Sequence, residues 1–195
     1  YTTLFRSSPT ASSPVHVRPS TEADLTAITA IYAQNVLTGT GTFETVAPSQ
    51  TEMAARRASV LALGLPWLVA EIDGVIVGYA YAGPFRVRAA YRYTVEDSIY
   101  VSTSAHGRGV GKALLTRLID DCEDLGVRQM LGVIGDSANE ASIRLHTACG
   151  FRPMGAIEGV GWKFDRWLDV LFMQRALGHG AVSDPDPSAP GLPLA

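Results

Sequence analysis

The sequence has little of several features that define particular protein classes. It contains only two cysteines, Cys122 and Cys149, which form no CxxC pair and lie in apolar, helix-like patterns. We therefore expect two buried thiols and neither a disulfide framework nor a metal site. No apolar run approaches the roughly 18 residues that span a bilayer, and no basic start followed by an apolar stretch opens the chain. These features predict a cytoplasmic protein without a membrane partner.

The chain also lacks a large excess of either positive or negative charge. The formal net charge is −3, and acidic and basic residues are interspersed along the chain. This pattern argues against a nucleic-acid partner, which is held by neutralising phosphates, and favours a small-molecule partner.

The length and composition fit one well-packed domain with tails. The 195 residues are 47% hydrophobic and 18% charged, which is enough apolar material for a core. Residues 1–14 are rich in Ser, Thr and Pro, and residues 178–195 are rich in Gly, Pro and small residues. Neither segment can bury enough apolar surface to offset its ordering entropy, so we predict flexible tails around a domain at 15–177.

Periodicity and turn residues predict alternating strands and helices. Asp73-Gly74 separates two β-rich runs and predicts a tight hairpin, and Ser49 with Glu52 forms a capping box that opens a helix. Strands are predicted at 15–18, 67–72, 75–82, 93–101, 129–134 and 167–174, and helices from about 20, 49, 113 and 139. This order predicts α/β packing around a mixed sheet.

A glycine-rich segment between a strand and a helix, residues 106–112, is called the glycine loop below. Its sequence is HGRGVGK, and such loops bring main-chain amides and a helix N-terminus towards an anion such as a pyrophosphate. The spacing fits neither a Walker motif nor a dinucleotide fingerprint. An ordinary strand-to-helix turn is the alternative interpretation.

The glycine loop, together with the strand SIYV before it and with Asn139, Ser142, Gly150 and Phe151 after it, resembles the GNAT acetyltransferase superfamily. Within that superfamily, the segments WLVAE, YAYAGP, TVE and RLH are similar to the phosphinothricin and methionine sulfoximine acetyltransferases. The resemblance implies a single domain of the α/β (α+β) class with a central mixed, mostly antiparallel twisted sheet flanked by helices. It also implies acetyl-CoA as the acetyl donor and a homodimer. Trp162, Phe164 and Trp167 could supply apolar surface for the dimer, and packing inside the domain is the alternative for them.

The resemblance further implies which residues bind the cofactor. The main chain of the strand would contact the pantetheine arm, the loop amides would bind the pyrophosphate, and the start of the later helix would contact the cofactor. The implied residues are Ile99, Tyr100, Val101, Gly107, Arg108, Gly109, Val110, Gly111, Lys112, Asn139 and Ser142. One departure from the family is His106, which stands where these loops usually begin with Gln or Arg.

Two residues are candidates for catalysis. Acetyl transfer to an amine needs a deprotonated nucleophile and donors for the oxyanion, and often an acid for the departing thiolate. Glu96, just before the cofactor-binding strand segment, is the candidate general base, and a surface strand glutamate is the alternative. His146 shares a helix face with Asn139 and Ser142. Its role as acid, base or structural group stays open.

Substrate contacts are expected ahead of Glu96. Guanidinium groups of Arg86 and Arg88, with Tyr91, can grip a carboxylate or phosphinate, although a solvated basic loop is the alternative. The family resemblance implies Phe43 as a pocket wall, and plain core packing is the alternative for this residue.

The sequence as a whole predicts an N-acetyltransferase for a small amino acid or analogue. The family resemblance implies a substrate of the phosphinothricin, methionine sulfoximine or methionine sulfone type. The alternatives are an acetyltransferase for another amine, such as a polyamine or a protein N-terminus, and a non-catalytic acyl-CoA-binding sensor.

Overall fold

The computed structural model describes residues 13–189 and 191–193. Its strands are β1 (His16–Pro19), β2 (Trp67–Ile72), β3 (Val75–Pro84), β4 (Thr94–Val101), β5 (Gln129–Gly135), β6 (Arg152–Lys163) and β7 (Arg166–Ala176). Its α-helices are α1 (Leu25–Thr38), α2 (Gln50–Ala62), α3 (Val110–Asp124) and α4 (Glu140–Ala148). None of these helices combines the length and the apolar character needed to cross a bilayer.

The strands form one seven-stranded sheet in the order β1-β2-β3-β4-β5-β7-β6. Every neighbouring pair is antiparallel except β4 and β5, which are parallel. Asp73 and Gly74 adopt φ angles of 52° and 75° in the β2–β3 hairpin, as a two-residue turn of this kind requires. The predicted mixed, mostly antiparallel sheet with its Asp-Gly hairpin is confirmed.

Helices cover both faces of the sheet. Along β2, Trp67 and Val69 pack with buried residues of α1 and α2, whereas Leu68 and Ala70 pack with those of α3. Side chains alternate between the two faces of a strand, so one continuous apolar run serves two cores. Both cysteines are buried, which confirms the predicted burial of the two thiols.

Strand β6 was not predicted from the sequence. Most of its residues are exposed, and its pairing with β7 shifts register between Pro153 and Gly155 and again between Ile157 and Gly161. Glycines and bulges remove the alternation of apolar and polar residues that identifies a strand. Most residues on both faces of this edge strand are exposed, so its sequence does not need alternating apolar and polar residues.

The predicted tails lie partly outside the described residues, which exclude 1–12, 190, 194 and 195. In the described part after β7, the Arg128 side chain donates hydrogen bonds to the carbonyls of Gly180 (2.8 Å) and Ser183 (3.0 Å). The amide of Leu192 donates to the carbonyl of Arg92 at 2.8 Å, and the Leu192 side chain is buried. The limits of the domain and the flexibility of the tails stay a prediction.

Candidate active site

A cleft opens where β4 and β5 separate. The two strands pair only from Thr94 with Gln129 to Asp97 with Gly132. Beyond this point β4 stays paired with β3 and β5 stays paired with β7, so each strand turns one open edge towards the gap. The two edges line opposite sides of a cavity of about 930 Å³. An unpaired strand edge presents main-chain N–H and C=O groups to whatever fills the gap.

The glycine loop forms one end of this cleft. Gly107 and Gly109 have φ angles of 74° and 80°, values that favour glycine. Gly109 is the residue before α3, so the amides of the first turn of α3 have no partner within the helix. The residues of the loop that line the cavity include Gly107, Gly109, Val110, Gly111 and Lys112, whereas Arg108 is not among them.

The helix end and the close packing fit a phosphate-bearing ligand. Free amides and the positive end of a helix attract phosphate oxygens. A Cβ atom on Gly111 would lie 3.1 Å from Cδ2 of Leu145, so a glycine lets α3 approach α4 closely. The His106 ring turns back to the carbonyl of Val101, with Nε2 at 3.3 Å. The main-chain amides of the glycine loop and of the first turn of α3 can hold the diphosphate of a carrier such as acetyl-CoA.

Helix α4 forms another wall of the cleft. Asn139 precedes its first turn, and its Oδ1 accepts a hydrogen bond from the Ser142 amide at 3.2 Å. Asn139 and Ser142 both line the cavity, as do Ile99, Tyr100 and Val101 of β4 on another side. The structure thus brings together nearly all the residues that the sequence analysis assigns to the cofactor.

Glu96 lies on β4, one residue before the strands separate, and lines the cavity. Burial raises the pKa of its carboxyl, the neighbouring Asp97 raises the pKa further, and the Arg86 charge opposes both effects. The net result is a pKa above the ordinary glutamate value. A carboxylate with a raised pKa is a better proton acceptor near neutral pH.

His146 is buried, with 4% of its surface exposed. Its Nδ1 lies 2.8 Å from the carbonyl oxygen of Ser142, and its Nε2 lies 3.1 Å from Oδ2 of Asp97. Neither nitrogen is left to accept a proton from, or donate one to, a ligand in the cleft. His146 lines the cavity, but of the three roles that the sequence leaves open this geometry argues against the acid and the base.

Asp97, the partner of His146, was missed in the sequence analysis. Neighbouring residues on a strand point to opposite faces, so a carboxylate directly after Glu96 faces away from it. Asp97 is buried, and a second acidic residue inside an apolar strand was the signal available. No sequence pattern links it to a histidine 49 positions later.

Phe43 reaches the cleft from the loop after α1. It lines the cavity, and its ring fits against Gly161 of β6 and Gly135 of β5. Lys163 fixes the same loop, because its Nζ donates to the carbonyls of Gly39 and Thr42 at 2.8 Å each. This buried lysine was not among the residues predicted from the sequence, because β6 itself was not predicted.

The other predicted substrate contacts lie outside the cavity wall. Arg86, Arg88 and Tyr91 are exposed on the loop between β3 and β4 and are not among the residues that line the cleft. Arg86 stacks on Phe85 with its guanidinium carbon 4.7 Å from the ring centroid. Arg86 is near enough to influence the Glu96 charge. Tyr81 of β3, which was not predicted as a site residue, does line the cavity. It stacks on Trp67 with ring centroids 4.2 Å apart.

The chain is similar to known acetyltransferases over most of its length. It is 53% identical over 170 residues to the phosphinothricin N-acetyltransferase of Alcaligenes faecalis, covering 87% of this chain and 86% of that protein. It is 41% identical to the L-methionine sulfoximine/L-methionine sulfone acetyltransferase of Salmonella typhimurium, covering 86% and 98%.

A solved structure agrees with these sequence similarities. The phosphinothricin acetyltransferase from Sinorhizobium meliloti in complex with AcCoA superposes with a TM-score of 0.86 at 47% identity, covering 89% of this chain and 94% of that one. The model of the acetyltransferase (GNAT) family matches residues 31–151, which run from the middle of α1 to the residue before β6 and include the whole glycine loop. The chain belongs to the acetyltransferase (GNAT) family.

Proposed function

We propose that this chain transfers the acetyl group of acetyl-CoA to the amine of a small amino acid or analogue. Phosphinothricin, methionine sulfoximine and methionine sulfone are the substrates we propose, by similarity to the relatives that bear those names. The proposal rests on one observation: the Glu96 carboxyl and the free amides of the glycine loop open onto the same cleft.

Glu96 is the proposed base. An amine is mostly protonated near neutral pH and must lose a proton before it can attack. Glu96 takes this proton directly or through one water molecule, and its raised pKa suits that task. When bound, acetyl-CoA would supply an activated thioester carbon: the amine nitrogen would bond to this carbon, the carbon–sulfur bond would break, and the sulfur would leave as the thiolate of CoA and take up a proton to give the released thiol. The amides of the glycine loop hold the donor, and the open edge of β4 directs its arm towards Glu96.

The electrostatics support a substrate that carries both an amine and an acidic group. Glu96 offers a negative charge to the ammonium, and the Arg86 charge acts on the same place from the loop after β3. Arg86, Arg88 and Tyr91 remain proposed contacts for the carboxylate or phosphinate. A polyamine would lack the acidic group that these guanidinium groups attract.

The test is a thiol-release assay with acetyl-CoA and a panel of amines. We expect the highest kcat/KM with phosphinothricin, methionine sulfoximine or methionine sulfone, and much lower values with spermidine or a peptide N-terminus. A preference for spermidine would contradict the substrate class. Acetyl-CoA binding without thiol release for any amine would instead support a non-catalytic sensor.

We further propose a homodimer formed through β6 and β7. The exposed apolar side chains there include Trp167 (65% exposed), Trp162 (54%) and Phe164, and an apolar patch on an edge strand is typical of an interface. Light scattering should give twice the chain mass. Trp167→Glu should shift the mass towards the monomer, whereas Val46→Glu, at a position that is also exposed but lies on the loop before α2, should not.

We also propose that the enzyme is cytoplasmic, because acetyl-CoA is abundant in the cytoplasm. There it would protect the cell from a toxic amino-acid analogue. Expression in a phosphinothricin-sensitive bacterium should allow growth on the compound. The Glu96→Gln variant, expressed at the same level, should not.

A further inference from the structure

The His146–Asp97 pair lies at the point where β4 and β5 part. Asp97 and Gly132 are the last paired residues of the two strands. The His146 ring occupies the space beside Gly132, because a Cβ atom there would lie 2.7 Å from its Cδ2 and 2.8 Å from its Nε2. A side chain at position 132 would displace the ring. The glycine thus makes the contact between α4 and the sheet possible.

The hydrogen bonds define the protonation state of the ring. The Ser142 carbonyl can only accept, so Nδ1 carries a proton. The Asp97 carboxylate likewise accepts from Nε2. Burial lowers the pKa of His146, but the hydrogen bond and the charge of Asp97, with the Ser142 carbonyl, outweigh it and raise the pKa overall. With acceptors facing both ring nitrogens, this geometry favours the imidazolium form of His146.

Asp97 has no other partner among the described residues. Its Oδ1 is buried without a hydrogen bond, so His146 is the cation that compensates this carboxylate. A buried charge that loses its partner is strongly unfavourable. The neighbouring Glu96 experiences the Asp97 charge directly.

We propose that Asp97 and His146 are positioning residues for the acetyl transfer. Their buried ion pair fixes α4 to the strand that carries Glu96, and it compensates the negative charge next to Glu96. The proposal rests on the proposed role of Glu96 as the base. It assigns His146 an electrostatic task and no proton transfer with the substrate.

Other titratable groups also face the carboxylates of Glu96 and Asp97, and the variants in the test leave these groups unchanged. Arg86 from the β3–β4 loop and Tyr81 from β3 face Glu96. The Cys122 thiol of α3 and the Cys149 thiol after α4 face Asp97. Burial raises the pKa of both thiols, so they stay neutral across the pH range of the assay.

The experiment is the pH profile of kcat/KM for two variants. Asp97→Asn removes the negative charge and should move the acid limb to lower pH. His146→Gln leaves that charge uncompensated and should move the limb to higher pH. Each shift should be about 0.5 to 1 pH unit, or about 3- to 10-fold in kcat/KM below the limb. Asp120→Asn and His179→Gln, at exposed positions, serve as matched controls and should leave the limb in place.

Opposite shifts are the signature of the proposal. Equal losses of activity with an unmoved acid limb would mean a merely structural pair and would overturn it. Loss of the alkaline limb in His146→Gln would identify His146 as the acid itself, and would also overturn it.

A measurement on the unmodified protein covers the case in which a variant does not fold. Nitrogen-15 NMR of the histidine side chains should show both nitrogens of His146 protonated at pH 7.5. A neutral ring would overturn the proposal. This readout does not involve Glu96, so an unchanged activity of Glu96→Gln would refute the proposed base and leave the ion pair to be judged by NMR.

Discussion

The ring of Phe43 fills the space beside the backbone of Gly161: a Cβ atom at that glycine would lie 2.2 Å from Cε2 of the ring. The contact joins the loop after α1 to the edge strand β6 and sets one wall of the cleft. The wall therefore depends on the absence of a side chain at position 161.

Gly161→Ala should displace Phe43. We expect a loss of about 1–3 kcal/mol in the free energy of unfolding, because overpacking forces the neighbour to move, and a higher KM for the amine. Urea unfolding and steady-state kinetics measure both. In the Phe43→Ala background the same substitution should have little further effect, because the clashing ring is gone. Additive losses in the double variant would show that the clash with Phe43 is not the cause of the effects of Gly161→Ala.

Glu96→Gln should lower kcat by about 10²- to 10⁴-fold, the usual contribution of a positioned base. The base must be deprotonated, so wild-type activity is present above the pKa of Glu96 and is lost as the pH falls through it. Because this pKa is raised, the loss should begin above the ordinary range of glutamate titration. The pH profile of kcat/KM measures it, and Glu140→Gln, at an exposed position on α4, is the matched control. An acid limb that persists in Glu96→Gln would point to another group.

Lys163→Met should loosen the loop between α1 and α2. The lysine donates to the carbonyls of Gly39 and Thr42, and leaving buried acceptors unpaired costs about 1–3 kcal/mol each. We expect a lower unfolding midpoint and a rise in KM for the amine that exceeds the fall in kcat. Lys163→Arg keeps the positive charge but changes the shape of the side chain. It therefore distinguishes the effect of losing the charge from the effect of losing the lysine's fit to the two carbonyls. A fall in kcat alone would contradict a role in shaping the pocket.

Asp24 should make stability depend on pH. The Arg18 guanidinium donates to both Asp24 oxygens at 2.8 Å and lowers the pKa of the carboxyl to about 2. The stabilisation is present above the unfolded-state pKa and is lost as the pH falls from about 4 towards about 2. Urea unfolding at pH 7 and pH 3 should show a larger loss for the wild type than for Asp24→Asn. Parallel losses would contradict this assignment.

Much of the fold followed from local chemistry. The Asp73-Gly74 turn, the apolar run of β2 and the glycines after β4 each specify a conformation through a few adjacent residues, and these elements formed as expected. The glycine loop could be predicted to bind a phosphate for the same reason: the proposed contacts come from its own main chain.

Other parts of the site depend on contacts between distant positions. His146 meets Asp97 across 49 positions, and Lys163 meets Gly39 across 124. Nothing in the neighbourhood of either residue in the chain specifies these partners. The helical face that carries Asn139, Ser142 and His146 therefore predicted a shared surface, and all three residues line the cavity, but the face did not predict that the histidine binds Asp97.

The sequence by itself determined the family, the strand–loop–helix that can hold a diphosphate, and a carboxylate close to it, because these are properties of short, contiguous segments. Only the tertiary structure decided that β4 and β5 part after Asp97, that His146 is enclosed with both nitrogens bonded, and that the arginines of the β3–β4 loop lie outside the cleft wall. These outcomes come from packing between elements far apart in the chain, where burial and pairing compete for the same polar groups.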